Sequence, residues 1–323
     1  MTKLLVTGAS GLLGLNLALA VDGKDNQVFG VANTIPMRWV GFKSVQAELT
    51  EPGVIEHLLD EIAPEVIIHC AAIANVDDCE SKPELAEEVN ARLPGKIAAA
   101  AATRHIKMVQ ISTDAVYDGQ KGNYLESETP HPLSVYARTK LTGENAVLAA
   151  NPAALVARVN FYGWSVSGAR SLAEWFVNAL TAGQTIKGFT DVTFCPMMVL
   201  DLVDTLMEAI DLNLSGLYHM VGAQQMSKYD FGCAIARRFN FNPELIQPAS
   251  VEDGGLKAAR SPDLTLNTEK LTRALRHELP PFEAGLQKFH DQYQGGFPQF
   301  LKSLSKSIHS FEFSRFNRSE KWN

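Results

Sequence analysis

The chain of 323 residues is poor in cysteine, has few aromatic residues and contains no long apolar run. Its four cysteines lie far apart and form no C-x-x-C pair, which argues against a disulfide framework or a zinc site and favours a reducing compartment. A net charge of −7 and a pI near 5.7 argue against nucleic acid or an acidic membrane as the main partner. Without about 18 uninterrupted apolar residues, a membrane span is not expected, and we expect a cytoplasmic protein.

The first half of the sequence alternates short β-rich runs with helical stretches. Strands are predicted at 3–6, 27–32, 66–70, 107–112 and 154–159, and helices at 12–20, 54–62, 83–103 and 135–150. Strands separated by helices predict an α/β fold with a doubly wound parallel sheet, whose ligands bind beyond the carboxyl ends of the strands.

The pattern loosens after residue 160. We expect residues 1–160 to form a dinucleotide-binding Rossmann domain with later sheet elements near 190–221. Residues 161–292 are expected to form mainly a smaller, interleaved substrate lobe. Residues 293–323 are a tail rich in Ser, Lys, Arg and Phe, for which a docked helix and a frayed extension are both open.

A glycine-rich turn, G-x-x-G-x-x-G, follows the first predicted strand and opens the first predicted helix. Gly8 allows a tight turn, Gly11 lets the backbone approach a pyrophosphate, and Gly14 lets the helix pack near the strand. With Ser10, Leu12 and Leu13, the segment would place phosphates on backbone amides at the positive end of the helix. A turn that binds nothing is the alternative; dinucleotide binding is favoured because the turn lies in a chain-initial βαβ unit.

The residue after the second predicted strand bears on which dinucleotide is bound. NAD sites usually carry an acidic residue near this position, whereas this chain has Asn33, with Arg38 nearby. The missing carboxylate and the guanidinium favour NADP over NAD, although Arg38 is also compatible with a solvated loop.

Three side chains suited to carbonyl reduction follow. Thr113 comes at the end of the predicted strand 107–112, and Tyr136 and Lys140 share one face of the predicted helix 135–150. A phenol can donate a proton to a developing alkoxide while a hydroxyl holds the carbonyl oxygen. A helix face carrying an unrelated tyrosine and lysine is the alternative, since this spacing is common by chance.

These motifs together resemble the dTDP-4-dehydrorhamnose reductase family of extended short-chain dehydrogenases/reductases. The likeness runs to about residue 290 and includes HCAAIANVDDCE (69–80), ISTDAVYDG (111–119), YARTKLTGE (136–144) and RSPDLTLNTEKL (260–271). It implies that NADPH, or alternatively NADH, reduces a 4-keto-6-deoxy sugar nucleotide, with no metal; a homodimer is compatible with it.

The resemblance also implies roles for individual residues. Tyr136 would be the acid, Lys140 would bind the nicotinamide ribose and lower the pKa of the phenol, and Thr113 would contact the keto oxygen. Further cofactor contacts would be Glu48, Leu49, Cys70, Ala71, Ala72, Val159 and Asn160. Asn90 and Arg260 would lie on the substrate side.

Two departures from the family pattern keep alternatives open. The family usually reads S-T-D-Y-V-F-D-G, where this chain has Ala115 and Tyr117, and no glutamate follows Asp114 as in related dehydratases. GAQQMSKYDFGCAIARRF resembles the regulatory β subunit of methionine adenosyltransferase, so an NADP-binding regulatory subunit is one alternative. A sugar-nucleotide epimerase is another.

Overall fold

A computed structural model describes residues 1–23, 25–33, 41–254 and 261–304. The first half contains, in chain order, β1 (Thr2–Thr7), α1 (Leu12–Val21), β2 (Asn26–Ala32), β3 (Lys43–Gln46), α2 (Val54–Ile62), β4 (Val66–His69), α3 (Val76–Ser81), α4 (Pro83–Glu87), a π-helical turn (Glu88–Arg92), α5 (Leu93–Thr103), β5 (Lys107–Thr113), α6 (Val135–Ala150) and β6 (Leu155–Val159). A 3₁₀ turn, Asp114–Val116, follows β5.

The second half of the described chain is built from shorter strands and longer helices. Its elements are β7 (Phe161–Tyr162), α7 (Leu172–Thr181), β8 (Ile186–Phe189), β9 (Thr193–Phe194), β10 (Met197–Met198), α8 (Val199–Asp211), β11 (Gly216–Met220), β12 (Met226–Ser227), α9 (Lys228–Arg238), β13 (Ile246–Ala249), α10 (Glu269–Leu275), α11 (Phe282–Gln294) and α12 (Phe297–Ser303). Two further 3₁₀ turns are Pro243–Leu245 and Val251–Gly254.

The main sheet has seven parallel strands in the order β11-β6-β5-β4-β1-β2-β3. The order reverses between β1 and β4, the point at which doubly wound sheets open a crevice for ligands. The predicted doubly wound Rossmann architecture is confirmed.

Burial explains why these segments form strands and helices. All four residues of β4 are buried, as expected for a strand covered on both faces. In α2 the buried residues Ile55, Leu58, Leu59 and Ile62 recur at helical spacing, so one face of the helix packs on the sheet. Helix α6 begins where the Ser134 side chain accepts a hydrogen bond from the Ala137 amide at 3.2 Å.

The smaller lobe shares its apolar core with the sheet. Within the described residues it contains three two-stranded sheets, which pair β7 with β10, β8 with β13 and β9 with β12. One buried cluster runs from Leu4 and Leu15 to Phe231 and Phe289, and therefore includes residues of both halves. The division of the chain at residue 160 stays a prediction, because this core crosses it.

The structure differs from the sequence-based expectations in several elements. The helix expected over 83–103 contains the π-helical turn, and β3 was not expected because its four residues are short of apolar side chains. The start of the tail forms α12, with Leu301 fully buried. Arg38, Arg260 and the aromatic residues of 305–323 lie outside the described residues.

The apolar N-terminus is divided between β1 and α1. Helix α1 has ten residues, of which eight are buried in the core. In the part of the chain that the structure describes, no helix is both long enough and apolar enough to cross a membrane.

Candidate active site

The glycine turn between β1 and α1 is closed tightly by backbone contacts. The Gly11 amide donates to the Gly8 carbonyl at 2.8 Å. Gly8 has a φ of +66°, and a Cβ there would lie 2.7 Å from the Ala71 nitrogen. A Cβ on Gly14 would lie 2.4 Å from the Gly8 carbonyl oxygen. Gly8 and Gly14 are therefore required by the close approach of β1, α1 and the segment after β4.

Helix α1 begins at Leu12, and its N-cap residue, Gly11, supplies no side-chain hydrogen bond to the first amides. The first amides of an α-helix have no partner within the helix, and they carry the positive end of its dipole. Here they face a cleft, which is the arrangement that binds phosphate at a helix N-terminus. The bare glycine turn and its amides thus fit the pyrophosphate of a dinucleotide.

A cleft of about 690 Å³ extends along the carboxyl ends of the central strands. It is lined by sixteen of the seventeen predicted cofactor residues: Gly8, Ser10, Gly11, Leu12, Leu13, Gly14, Asn33, Glu48, Leu49, Cys70, Ala71, Ala72, Tyr136, Lys140, Val159 and Asn160. The seventeenth, Arg38, and the predicted substrate residue Arg260 lie outside the described residues. Thr113 also lines the cleft.

The far end of the cleft, beyond β2, contains the carboxylate of Glu48, one of the cofactor contacts that the family resemblance implied. Asn33 donates its side-chain amide to Glu48, a residue that follows β3 rather than β2. Glu48 also accepts hydrogen bonds from the Thr50 hydroxyl at 2.7 Å and the Thr50 amide at 3.1 Å. The Thr50 hydroxyl is the main reason why the pKa of Glu48 is lowered. Strand β2 itself is followed by Asn33 rather than by a carboxylate, and β3 brings the Glu48 carboxylate to Asn33 from the next segment.

The opposite end of the cleft contains Thr113, Tyr136 and Lys140. Burial raises the pKa of Tyr136 to about 12, while a hydrogen bond with Thr113 opposes the rise. The Lys140 ammonium donates to the Ile111 carbonyl at 2.6 Å, and burial lowers the pKa of Lys140 to about 8. At neutral pH Tyr136 is therefore protonated and able to act as an acid, and Lys140 is mostly charged.

Asp114 adds an ionisable group to the same end of the cleft. Burial raises its pKa to about 6, although hydrogen bonds from Asn160 and Thr113 favour the charged carboxylate. Asp114 was not predicted as a site residue, nor were Phe161 and Arg170, which also line the cleft. Asp114 follows Thr113 at a strand end, a position that could have indicated it, whereas nothing in the sequence distinguishes Arg170.

Asn90, which the resemblance places on the substrate side, is not among the residues that line the cleft. It lies in the π-helical turn, is 1% exposed, and binds both the amide and the carbonyl of Ile73, at 2.9 and 3.0 Å. Its side-chain amide also donates to the Thr139 hydroxyl at 3.2 Å. Helix α6 packs closely on this turn at Gly143, where a Cβ would lie 2.2 Å from the Asn90 carbonyl oxygen. Asn90 thus positions the helix that carries Tyr136 and Lys140.

Tyr117 stands where the resembled family usually has phenylalanine, and it is a buried structural residue. Its hydroxyl contacts Arg158 at 2.6 Å, the Leu125 carbonyl at 2.9 Å and His219 at 3.1 Å. Arg158 in turn forms a buried ion pair with Glu144 at 2.7 Å. Tyr117 is fully buried and belongs to a network behind β5, so the change from phenylalanine does not alter the lining of the cleft.

Comparison with protein families identifies one match over most of the chain. The family described as RmlD substrate binding domain matches residues 1–295. The probable low-salt glycan biosynthesis reductase Agl14 of Haloferax volcanii is 33% identical over 295 residues, covering 87% of this chain and 95% of that protein. Methionine adenosyltransferase 2 subunit beta of Xenopus laevis is 31% identical over 297 residues, covering 88% and 86%.

Solved structures of reductases share the fold. The crystal structure of dTDP-4-dehydrorhamnose reductase from Bacillus anthracis in complex with NADP superimposes with a TM-score of 0.79. The two sequences are 25% identical, and the alignment covers 90% of this chain and 99% of the other. The similarity therefore includes the cleft and the smaller lobe.

Proposed function

The chain belongs to the RmlD substrate binding domain family, whose reductase members are NAD(P)-dependent oxidoreductases, and from that premise we propose that it reduces a 4-keto-6-deoxy sugar nucleotide with NADPH. The observation that carries the proposal is the joint presence of Thr113, Tyr136 and Lys140 in the cleft that begins at the uncapped glycine turn. A bound reduced nicotinamide supplies the hydride to the carbonyl carbon.

Tyr136 is the proton donor in this proposal. Its phenol holds its proton at neutral pH because burial raises the pKa of Tyr136 to about 12. The same desolvated surroundings strengthen a hydrogen bond to an oxygen that becomes negatively charged, which favours the transition state over the ground state. The Thr113 hydroxyl, which is within hydrogen-bond reach of Tyr136, holds the keto oxygen beside the phenol.

Lys140 is proposed to hold the ribose next to the reacting carbon and to stabilise the phenolate left after proton transfer. Its ammonium has three donor hydrogens, and one is used by the Ile111 carbonyl at 2.6 Å. Within the part of the chain that the structure describes, the ammonium has no second hydrogen-bond acceptor, so the remaining two can bind a ribose. The positive charge also favours the ionised form of a nearby phenol, so it assists Tyr136 in releasing its proton.

The cofactor is proposed to be NADPH first and NADH second. The NADP complex of the Bacillus anthracis relative supports NADPH. The Glu48 carboxylate beside Asn33 supports NADH as the alternative, because a carboxylate at this end of a Rossmann cleft can bind the ribose hydroxyls. Turnover measured with each reduced cofactor under the same conditions decides between them.

The activity is tested on the wild type, on one variant of the proposed proton donor and on one control variant. The protein is mixed with NADPH and a dTDP-4-dehydro-6-deoxyhexose, and loss of reduced nicotinamide is followed by absorbance. We expect steady consumption that Tyr136→Phe lowers by about 100-fold or more, since a general acid contributes at least that much. Tyr218→Phe is the matched control; Tyr218 lies on the edge strand β11, outside the cleft lining, with Lys270 4.3 Å from the centre of its ring.

A regulatory NADP-binding subunit is the second candidate. It is supported by the similarity to methionine adenosyltransferase 2 subunit beta over 88% of the chain. Tight NADPH binding without consumption in the presence of any keto sugar nucleotide would contradict the reductase and favour this role. Interconversion of sugar nucleotides without net consumption of cofactor would instead indicate an epimerase.

A further inference from the structure

Arg170 lies at the glycine turn, although it comes from the other half of the chain. It is exposed and lines the cleft just before α7. Its guanidinium Nη1 is 4.0 Å from the position that a Cβ on Gly11 would occupy. A cation thus stands directly over the turn whose uncapped amides fit a pyrophosphate.

The backbone of Arg170 is held in place by a buried carboxylate. Glu174, which is fully buried, accepts hydrogen bonds from the amides of Ser165 at 2.6 Å, Arg170 at 2.9 Å and Ser171 at 3.1 Å. The Asn178 side chain donates to the Gly168 carbonyl at 2.7 Å on the same loop. The backbone of this loop is therefore fixed at several points before any ligand binds, and only the Arg170 side chain has to be ordered on binding.

No described residue neutralises the charge of Arg170, so that charge can act on a ligand. Among the described residues, no acidic side chain forms an ion pair with its guanidinium. The glycine turn itself offers only neutral amides and a helix dipole, whereas a pyrophosphate bridge carries two negative charges. A guanidinium matches phosphate oxygens with paired donors and stays charged at every physiological pH.

We propose that Arg170 binds the pyrophosphate of the dinucleotide from the side opposite the glycine turn, so that the smaller half of the chain completes the cofactor site. The inference rests on the proposed dinucleotide-dependent function. The other diphosphate in the reaction belongs to the sugar nucleotide. The position of the guanidinium over Gly11, in the phosphate-binding turn, favours the cofactor's diphosphate.

The test is direct binding, without turnover. NADPH is titrated into the full chain, followed by its fluorescence, for the wild type, Arg170→Ala, Arg170→Lys and Arg273→Ala. Arg273 is an exposed arginine on α10, paired with Glu269 and outside the cleft. We expect Arg170→Ala to raise the dissociation constant by about tenfold, the size of one charge-assisted hydrogen bond, and Arg170→Lys to raise it less. Arg273→Ala should bind as the wild type does.

Binding of two smaller ligands shows whether the loss of NADPH affinity in Arg170→Ala comes from the pyrophosphate. Adenosine 2′-monophosphate, which has no pyrophosphate, should compete with NADPH equally well in the wild type and Arg170→Ala. dTDP, the nucleotide part of the proposed substrate, should also bind both proteins equally. Thermal unfolding of Arg170→Ala should match that of the wild type, because the bonds that fix the loop come from the backbone of Arg170.

Several results would overturn the inference. One is an unchanged affinity of Arg170→Ala for NADPH. Another is an equal loss of affinity for adenosine 2′-monophosphate, and a third is a loss confined to dTDP, which would assign Arg170 to the substrate. A wild-type protein that does not bind NADPH would contradict the proposed function itself, which is a separate outcome.

Discussion

The Lys140 ammonium is tied to the Ile111 carbonyl oxygen at a distance of 2.6 Å. Ile111 lies two residues before Thr113 on β5, so this one bond fixes the helix residue and the strand residue of the candidate active site relative to each other. The bond also holds a charge in a place where only 4% of the lysine is exposed. Burial accordingly lowers the pKa of Lys140 to about 8.

The first prediction concerns the cost of this buried charge. Below pH 8 the folded protein holds a desolvated ammonium, and between pH 8 and 10.5 the unfolded chain binds the extra proton, so wild-type stability rises with pH in that window. We expect Lys140→Met to have a free energy of unfolding about 1 kcal/mol higher than the wild type at pH 7, since the lost hydrogen bond offsets part of the gain.

Urea unfolding from pH 7 to 10.5 measures this difference. The advantage of Lys140→Met should shrink as pH rises, and reductase turnover should be lost in the variant. Lys96→Met, at an exposed lysine paired with Glu88, should show no comparable pH dependence. An advantage that is constant across the pH range would contradict the prediction.

The second prediction concerns Asp114, whose pKa is raised to about 6 by burial. The native carboxyl keeps its proton up to about pH 6, whereas the unfolded carboxyl loses it near 3.8, so wild-type stability falls as pH rises through this window. We expect the stability of Asp114→Asn relative to the wild type to increase over the same window and to reach about 2 kcal/mol at neutral pH.

Urea unfolding between pH 4 and 7 tests the prediction. Asp118→Asn is the control, for which we expect the change in the free energy of unfolding to have the opposite sign. A hydrogen bond from Tyr124 lowers the pKa of Asp118, so its replacement should destabilise the protein at neutral pH. If both substitutions changed the free energy of unfolding in the same direction at neutral pH, the prediction for Asp114 would be wrong.

The third prediction concerns Tyr117→Phe, which restores the residue usual in the resembled family. The Arg158 donor that now meets the hydroxyl at 2.6 Å would be left buried without this partner. We expect the free energy of unfolding to fall by about 2 kcal/mol, with little change in the dissociation constant of NADPH, because Tyr117 does not line the cleft. Denaturant unfolding and NADPH titration measure the two quantities, and Tyr218→Phe serves as control.

The fourth prediction concerns the packing of α1 on its own turn. Gly14→Ala would place a methyl group 2.4 Å from the Gly8 carbonyl oxygen, so the helix must move away from the glycine turn. We expect a loss of about 2 kcal/mol in the free energy of unfolding and weaker NADPH binding. Gly95→Ala, whose added methyl would be nearest the Ala146 methyl at 3.0 Å, should affect stability less and binding not at all. Equal binding by all three proteins would contradict this interpretation of the turn.

Periodic burial made much of the fold predictable. Helices α2 and α6 have the bounds predicted from sequence, because their apolar spacing and, for α6, its serine cap are local signals. Strand β3 was not predictable, since three of its four residues are exposed and none of its local sequence indicates the edge of a sheet. The π-helical turn was not predictable either, because no local residue pattern distinguishes it from the α-helices on either side; in the structure α6 packs against it at Gly143.

The candidate site was predictable where the motif is continuous in sequence, as in the glycine turn and in Tyr136 and Lys140. It was not predictable where distant segments meet. Glu48 reaches Asn33 only because β3 pairs with β2, and Arg170 reaches Gly11 only because the smaller lobe folds back over the cleft.

One of the two edge strands of the main sheet, β11, comes from the second half of the chain and pairs with β6 along its whole length. A chain that ends at residue 160 would lack β11 and would leave backbone N–H and C=O groups of β6 unpaired, an edge of the kind that pairs with other chains. The main sheet is therefore complete only when residues 216–220 have joined it.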